Sequence, residues 1–184
     1  MLDQVMKVVD KIVEGLVREK VHISDMQFGF TPGCGTTDAM LLARQMQEKY
    51  LSKKKKLYFA FIDLEKAFDK VPREVMWWAM QKLGVEEWLV WLVVKSMYKN
   101  ARSRVTINGT FSEEIEVKVG VHQGSVLSPL LFIMVLEALS HELKSGYPKE
   151  LLYAGDPVLI AESMEEFNEQ FQRCKEGIKT KGLE

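Results

Sequence analysis

An α+β fold is predicted, with helices laid on a small, largely antiparallel sheet. Three observations lead there. Apolar patterning along the chain reads α–α–β–α–α–ββ–α–ββ–α. Asn108-Gly109 stands between two strand-like stretches and is the strongest short-range hairpin signal in the chain. The stretch 57–64, LYFAFIDL, is apolar almost throughout and carries Asp63 near its end. A near-continuous apolar strand is usually covered on both faces.

The elements follow in order. Residues 1–20 read as an amphipathic helix, with Leu2, Val5, Met6, Val9, Ile12, Val13 and Leu16 recurring at three- and four-residue spacing. Three glycines and a proline between Gln27 and Gly35 make a loop with forced turns. Thr36 or Thr37 caps the next helix, with Asp38 in its first turn, and that helix runs to about Tyr50. The adjacent Lys53, Lys54, Lys55 and Lys56 read as a solvated connection. After strand 57–64, Pro72 opens a helix that Gly84 stops. A second helix from about Glu86 to Tyr98 carries Trp88, Trp91, Leu92 and Met97, and the tryptophans at this spacing read as core. The Asn108-Gly109 hairpin follows, then a turn from Gly120 to Ser125. Ser128-Pro129 opens a helix as N-cap and first residue. Its body, LLFIMVLEAL, is apolar all round and so is expected to be buried. Two short strands, 150–153 and 158–161, meet at Ala154-Gly155-Asp156-Pro157. Ser163 then caps a last helix with Phe167, Phe171, Cys174 and Ile178 inward.

Composition bounds the function. A chain of 184 residues, 47% apolar and 28% charged, is one ordinary globular domain and neither a disordered tail nor a low-complexity scaffold. Lys plus Arg number 25 against 26 Asp plus Glu, so a strongly basic nucleic-acid wrapper is not indicated and any polyanion site is a local patch. The two cysteines, Cys34 and Cys174, make no disulfide framework and point to a reducing compartment. The longest apolar runs, 88–94 and 130–136, are too short to span a bilayer, and the charges at Asp3, Lys7 and Asp10 argue against a secretory signal.

Three places stand out for chemistry. Asp63 sits at the end of an apolar strand, where a carboxylate costs several kcal/mol to bury unless it is paired or binds a metal. The turn Gly120-Val121-His122-Gln123-Gly124-Ser125 precedes a helix, so its backbone N–H groups can face a ligand. Asp156 sits at the tip of an apolar hairpin. Two acids on adjacent strand ends suit Mg²⁺, a hard cation that takes oxygen ligands. The plainer alternative is a helix cap at one acid and a turn residue at the other. His122 taken alone reads as a solvated turn histidine.

The blocks YFAFIDLEKAFDKVP, GVHQGSVLSPLLF and ELLYAGDPVLIAES, in this order, resemble the reverse transcriptases of non-LTR retrotransposons. QFGFTPGCGTTDA is similar to the fingers segment that precedes them, and the likeness runs over nearly the whole chain. The resemblance implies a right-hand polymerase fragment: one domain over 1–184, with partial fingers to about residue 56, a palm over about 57–184, and no thumb. It implies that Asp63 is the first metal-binding aspartate, with Asp156 as a second metal ligand. It also implies that Phe68 lies beneath the sugar and excludes a 2′-OH, the handle that separates RNA from DNA building blocks. A backbone carbonyl beside Asp63, at Ile62 or Leu64, is implied to reach the second metal. Gln123 and Gly124 match the block lining the nucleotide and template pocket. The implied chemistry is attack of a primer 3′-OH on a nucleotide α-phosphate, with two Mg²⁺ ions stabilising the attacking and leaving oxygens. The implied partners are an RNA template, a DNA primer and a dNTP, with no membrane.

The sequence departs from that family where it matters most. The family's metal hairpin reads Tyr-Ala-Asp-Asp; here it reads Tyr153-Ala154-Gly155-Asp156. Gly155 has no side chain to replace the bridging carboxylate. Pro157 removes a backbone donor where the second strand should pair, and so is expected to damage the sheet. His122 stands where many relatives carry arginine, and so do Thr31 and Cys34. A basic upstream segment and a downstream thumb are expected in relatives, and the expectation for this sequence is a fragment without them. The reading is an inactive relic of a reverse transcriptase. Two alternatives stand beside it: a residual RNA- or DNA-binding module using Lys53 to Lys56, Lys66, Lys70, Arg102 and Arg104, or a protein-interaction fragment that self-associates through exposed palm surface.

Overall fold

The computed structural model describes residues 4–143, 150–153 and 156–183. The core is organised around α6, Leu127–Leu143. Residues 130 to 140 of this helix are buried without exception, as its all-round apolar sequence requires. Against it pack α4, Arg73–Lys82, through Met76, Ala79 and Met80, and α1, Gln4–Lys20, through Val13 and Val17. A wide, π-type turn over Leu89–Val94, continued by the short α5 at Lys95–Tyr98, adds Leu89, Val90, Val94 and Tyr98.

The start of α6 differs from expectation. The Ser125 hydroxyl accepts the Leu127 N–H at 3.2 Å, and Ser128 is already inside the helix. The Ser128 hydroxyl instead donates back to the His122 carbonyl at 2.8 Å. On α1, only part of the recurring apolar set faces inward: Val5, Ile12 and Leu16 are 38–68% exposed. The stripe that meets α6 is Asp10, Val13 and Val17, one acid included.

A three-stranded antiparallel sheet has the order β1-β7-β6, from Tyr58–Phe61, Asp156–Ala161 and Glu150–Tyr153. The central strand is therefore β7, buried from Pro157 to Ala161, while β1 lies at the edge and its Phe61 is 77% exposed. Strand β1 was expected to be covered on both faces; burial on both sides belongs to β7 instead. Helix α2, Thr36–Ser52, lays Leu42, Ala43 and Met46 against Val158 and Ile160, joined by Met26, Phe28 and Phe59. Its N-cap is Gly35, one residue ahead of the expected threonines, and the Asp38 carboxylate accepts the Gly35 N–H at 2.8 Å. Helix α7, Met164–Thr180, returns over β7 and α6. Ser163 caps it by accepting the Glu166 N–H at 3.1 Å. Ser163→Ala is expected to cost about 1 kcal/mol, measured as a shift in urea midpoint at unchanged slope.

Pro157 does not break the sheet. The Ile62 N–H donates to the Pro157 carbonyl at 3.0 Å, and Leu152 opposes Pro157 from β6. Bonded residues in an antiparallel pair normally exchange two bonds. A strand residue's N–H and C=O point the same way, so the donor that proline lacks faces Ile62, one residue beyond the end of β1. The ring removes one bond at the end of a ladder, and β7 runs through it.

The remaining strands form a ribbon. Asn108 and Gly109 take φ values of +50° and +79°, as a type I′ turn needs, and set Thr106–Ile107 (β3) against Thr110–Phe111 (β4). Arg102–Ser103 (β2) and Ile115–Glu116 (β5) pair further down. Short α3, Ala67–Lys70, links β1 to α4. Trp88 and Trp91 are not core: they are 48% and 47% exposed, because Leu89, Val90 and Val94 take the inward positions of the wide turn. Among the described residues no helix is long and apolar enough to cross a membrane.

Candidate functional site

The strand register brings the two predicted acids to one corner. Tyr58 to Phe61 pair with Ala161 to Val158, and Ile62 donates to Pro157. Continued by one residue, the register sets Asp63 opposite Asp156. Asp63 itself is exposed. Gly155, where the missing carboxylate was read from the sequence, lies outside the described residues together with Ala154.

Asp63 opens onto a groove of about 860 Å³ between α2 and the β1–β7 edge, lined by Thr36, Ala39, Gln47, Phe61 and Ile62 among others. Its walls are mostly apolar. Its guanidinium, Arg44, is held by Glu48 at 2.9 Å. Cys34 is an exposed free thiol and Thr31 is half-buried, so neither of these two positions supplies a cation for a triphosphate.

A second cluster joins α3 to the turn before α6. Gly120 N–H donates to Val71 O at 2.8 Å and Val121 N–H to Phe68 O at 2.9 Å, beside an isolated bridge between Pro72 and Val119. Gly120 has φ +76°, and a Cβ there would stand 2.6 Å from the Asp69 carbonyl oxygen. Only glycine admits that approach. These bonds seat Phe68 in a stack of rings, with Phe132 at 4.5 Å and Phe30 edge-on at 6.0 Å. They also bring Gln123 over α3, where its Nε2 donates to Asp69 Oδ1 at 2.9 Å. Gly124 is exposed with φ +81° and open space around it. Phe68, Gln123 and Gly124 thus belong to one local arrangement, and Asp63 and Asp156 to another.

His122 is not a solvated turn residue. Its ring stacks on Tyr98 at 4.2 Å and 12°, and the Arg73 guanidinium lies 5.2 Å from the Tyr98 ring. The Arg73 Nη1 donates to the Tyr98 carbonyl at 2.9 Å. Burial, and then the charge of Arg73, hold His122 below its ordinary value, while Asp10 opposes them. A histidine depressed in the folded state contributes stability above its unfolded value of about 6.5, and that contribution is lost as pH falls below it. Stability is therefore expected to drop between pH 7 and pH 5. His122→Phe keeps a stacked ring without the titration and should lessen the drop, read from urea midpoints at the two pH values.

Sequence reasoning missed Asp69 as the partner of Gln123, and missed the buried carboxylate of Asp10. A signal for the second existed: Asp10 shares a helical stripe with Val13 and Val17. Among the described residues, no group of three or more acids, histidines and cysteines gathers to hold a metal.

The reverse transcriptase (RNA-dependent DNA polymerase) family profile matches residues 1–184. A Pol polyprotein from the type-1 retrotransposable element R2 of Nasonia vitripennis is 29% identical over 186 aligned positions, covering 95% of this chain and 18% of its own length. The RNA-directed DNA polymerase from the mobile element jockey of Drosophila melanogaster is 26% identical over 188 positions, covering 90% of this chain and 20% of its own. The chain spans about a fifth of the length of these curated relatives. Among solved structures, an apo telomerase from Candida tropicalis matches with a TM-score of 0.65 and 15% identity, over 97% of this chain and 38% of that one. That likeness is one of fold, and it is the polymerase fold the motifs imply. The chain belongs to the reverse transcriptase family, as a domain of the non-LTR retrotransposon type.

Proposed function

We propose that this domain keeps the frame of an RNA-directed DNA polymerase palm but has lost nucleotidyl transfer. The observation that carries the reading is the corner at Asp63: the β1–β7 register, continued past its last pair, leads to Asp156, while the sequence between β6 and β7 reads Ala154-Gly155, without the acid the family motif carries. A divalent metal pair would supply charge neutralisation at the attacking and leaving oxygens. Holding two such ions takes carboxylates that bridge them. Asp63 and Asp156 offer one acid on each strand, with a hydrogen in place of the third. The donor set falls short of a metal pair, so no step is assigned through one.

The remaining parts fit a nucleotide pocket in outline. Phe68 is a ring stacked on Phe132, and in this reading it takes the sugar-screening role. The Gln123 side chain is held by Asp69, so its amide is oriented before any ligand arrives. Residues before about 56 supply part of the fingers in this reading. RNA template, DNA primer and dNTP are the ancestral partners.

Purified protein with Mg²⁺ or Mn²⁺, primer–template and dNTPs is expected to give no extension. Extension that Asp63→Ala abolishes overturns the proposal. Gly155→Asp alone should not restore activity, because the triphosphate contacts expected at 31 and 34 are a threonine and a cysteine. A binding role at the lysine run is the second reading, favoured by the exposure of Lys53 to Lys56. Arg102 and Arg104 contribute little to it, since both pair with Glu114, at 2.8 and 2.6 Å.

A further inference from the structure

A second groove, of about 710 Å³, lies between α4, the 89–98 segment and the β2–β5 ribbon, and shares no lining residue with the groove at Asp63. Its wall carries Trp91, which is 47% exposed. Tryptophan offers the largest flat apolar face of any side chain, and here it lines the groove. The rim is positive: Arg73, Lys95, Lys99 and Lys118 face Glu74 and Glu116, in a chain whose net charge is −1. Two of the four cations are committed, Arg73 to the Tyr98 carbonyl and Lys118 to Glu116. The other two are available. Lys99 is exposed and has no ion-pair partner among the described residues, and Lys95 Nζ rests 3.4 Å over the Trp91 ring. A cation–π contact at an exposed site is weak, so a phosphate draws the ammonium aside at small cost and uncovers the ring.

We propose that this groove binds single-stranded nucleic acid, with a base stacked on Trp91 and the flanking phosphates taken by Lys95 and Lys99. Flat rings joined by phosphates use both the Trp91 indole and the lysines; an acidic peptide uses only the lysines. Stacking tolerates any base, so binding is expected without sequence preference. The site does not rest on the reading of Asp63 and survives the loss of catalysis there.

Fluorescence anisotropy of a labelled dT12 strand with the full chain tests it. Binding should saturate and weaken with salt. Trp91→Ala should weaken it about tenfold, and Trp91→Phe should restore most of the loss, because a ring remains to stack on. Lys95→Gln with Lys99→Gln should lower the slope of log affinity against log salt by about 1.4, at about 0.7 per phosphate contact on a single strand. Lys7→Gln with Lys11→Gln, an equal charge loss on exposed positions of α1, should leave that slope unchanged. Absence of binding overturns the proposal. So does binding indifferent to Trp91, equal competition by base-free polyphosphate, or Trp91-dependent binding of polyglutamate, which assigns the groove to acidic peptides.

Discussion

Gly120→Ala is expected to remove about 3–5 kcal/mol of folding stability, a large share of the 5–15 kcal/mol typical of a domain. Two costs add. At φ +76° any side chain is strained, by roughly 1–3 kcal/mol. The new methyl would also stand 2.6 Å from the Asp69 carbonyl oxygen and 3.0 Å from both the Asp69 carbonyl carbon and the Phe68 oxygen. All three are backbone atoms, so no rotamer change makes room. Segment 68–71 has to retreat, and the bonds from Gly120 to Val71 and from Val121 to Phe68 are strained or lost, at about 1 kcal/mol each. Gly124→Ala is the matched control. Its φ is +81°, yet nothing lies within 4 Å of the added carbon, so it carries only the conformational cost of about 1 kcal/mol. Urea unfolding of the two variants measures the difference. Equal losses would mean that the approach of the turn to α3 is not a fixed contact, and the seating of Phe68 and Gln123 would lose its support.

Local chemistry was legible where one short rule decides the outcome. Asn108-Gly109 made its hairpin because both positions need positive φ. Ser163 capped α7 because its hydroxyl reaches the Glu166 N–H. The unbroken apolar body of α6 could only go inside. Expectation failed where the outcome depends on which neighbour arrives. The run 57–64 looked like a strand covered on both faces, but strand order places β7 in the centre and leaves β1 at the edge. Trp88 and Trp91 looked inward by spacing alone, whereas the wide turn hands the inward positions to aliphatic residues between them. Pro157 looked like a lesion because a proline removes a donor. Which side that donor faces is fixed by register, and register is a property of the assembled sheet.

The candidate site divides the same way. Asp63, Asp156, Phe68, Gln123 and Gly124 were named from ordered motifs; the fold sets Asp63 two residues beyond the end of β1, beside the start of β7 at Asp156, and Phe68 close to the turn that bears Gln123. What motifs could not give is the support beneath them. The bond from Gln123 to Asp69 spans 54 residues of sequence, and the stack of His122 on Tyr98 joins the turn to a helix whose pattern suggested only core.

That support includes one costly group, and Asp10→Leu is expected to raise stability by about 2 kcal/mol. Asp10 is 0% exposed, and among the described residues neither carboxylate oxygen has a hydrogen-bond partner. Charged or protonated, a buried carboxyl without a partner has given up its hydration for nothing. It lies on the α1 stripe that meets the core through Val13 and Val17, so leucine continues the surface already there and is the better helix former. Asp10→Asn is the informative companion. It keeps a buried polar group of the same shape without a partner, so it should recover much less than leucine does. The same carboxylate also touches the electrostatics of the turn. It raises Tyr98 further above its ordinary value, where burial is the main cause, and it opposes the depression of His122. Removing it should therefore lower the titration midpoints of both rings, read by NMR on His122 and by ultraviolet absorbance on Tyr98. A loss of more than about 1 kcal/mol in Asp10→Leu would reveal a partner that holds the acid in place. A gain, with both rings titrating lower, would mean that α1 carries an acid the fold does not need, placed where its charge is felt at the turn that presents Gln123.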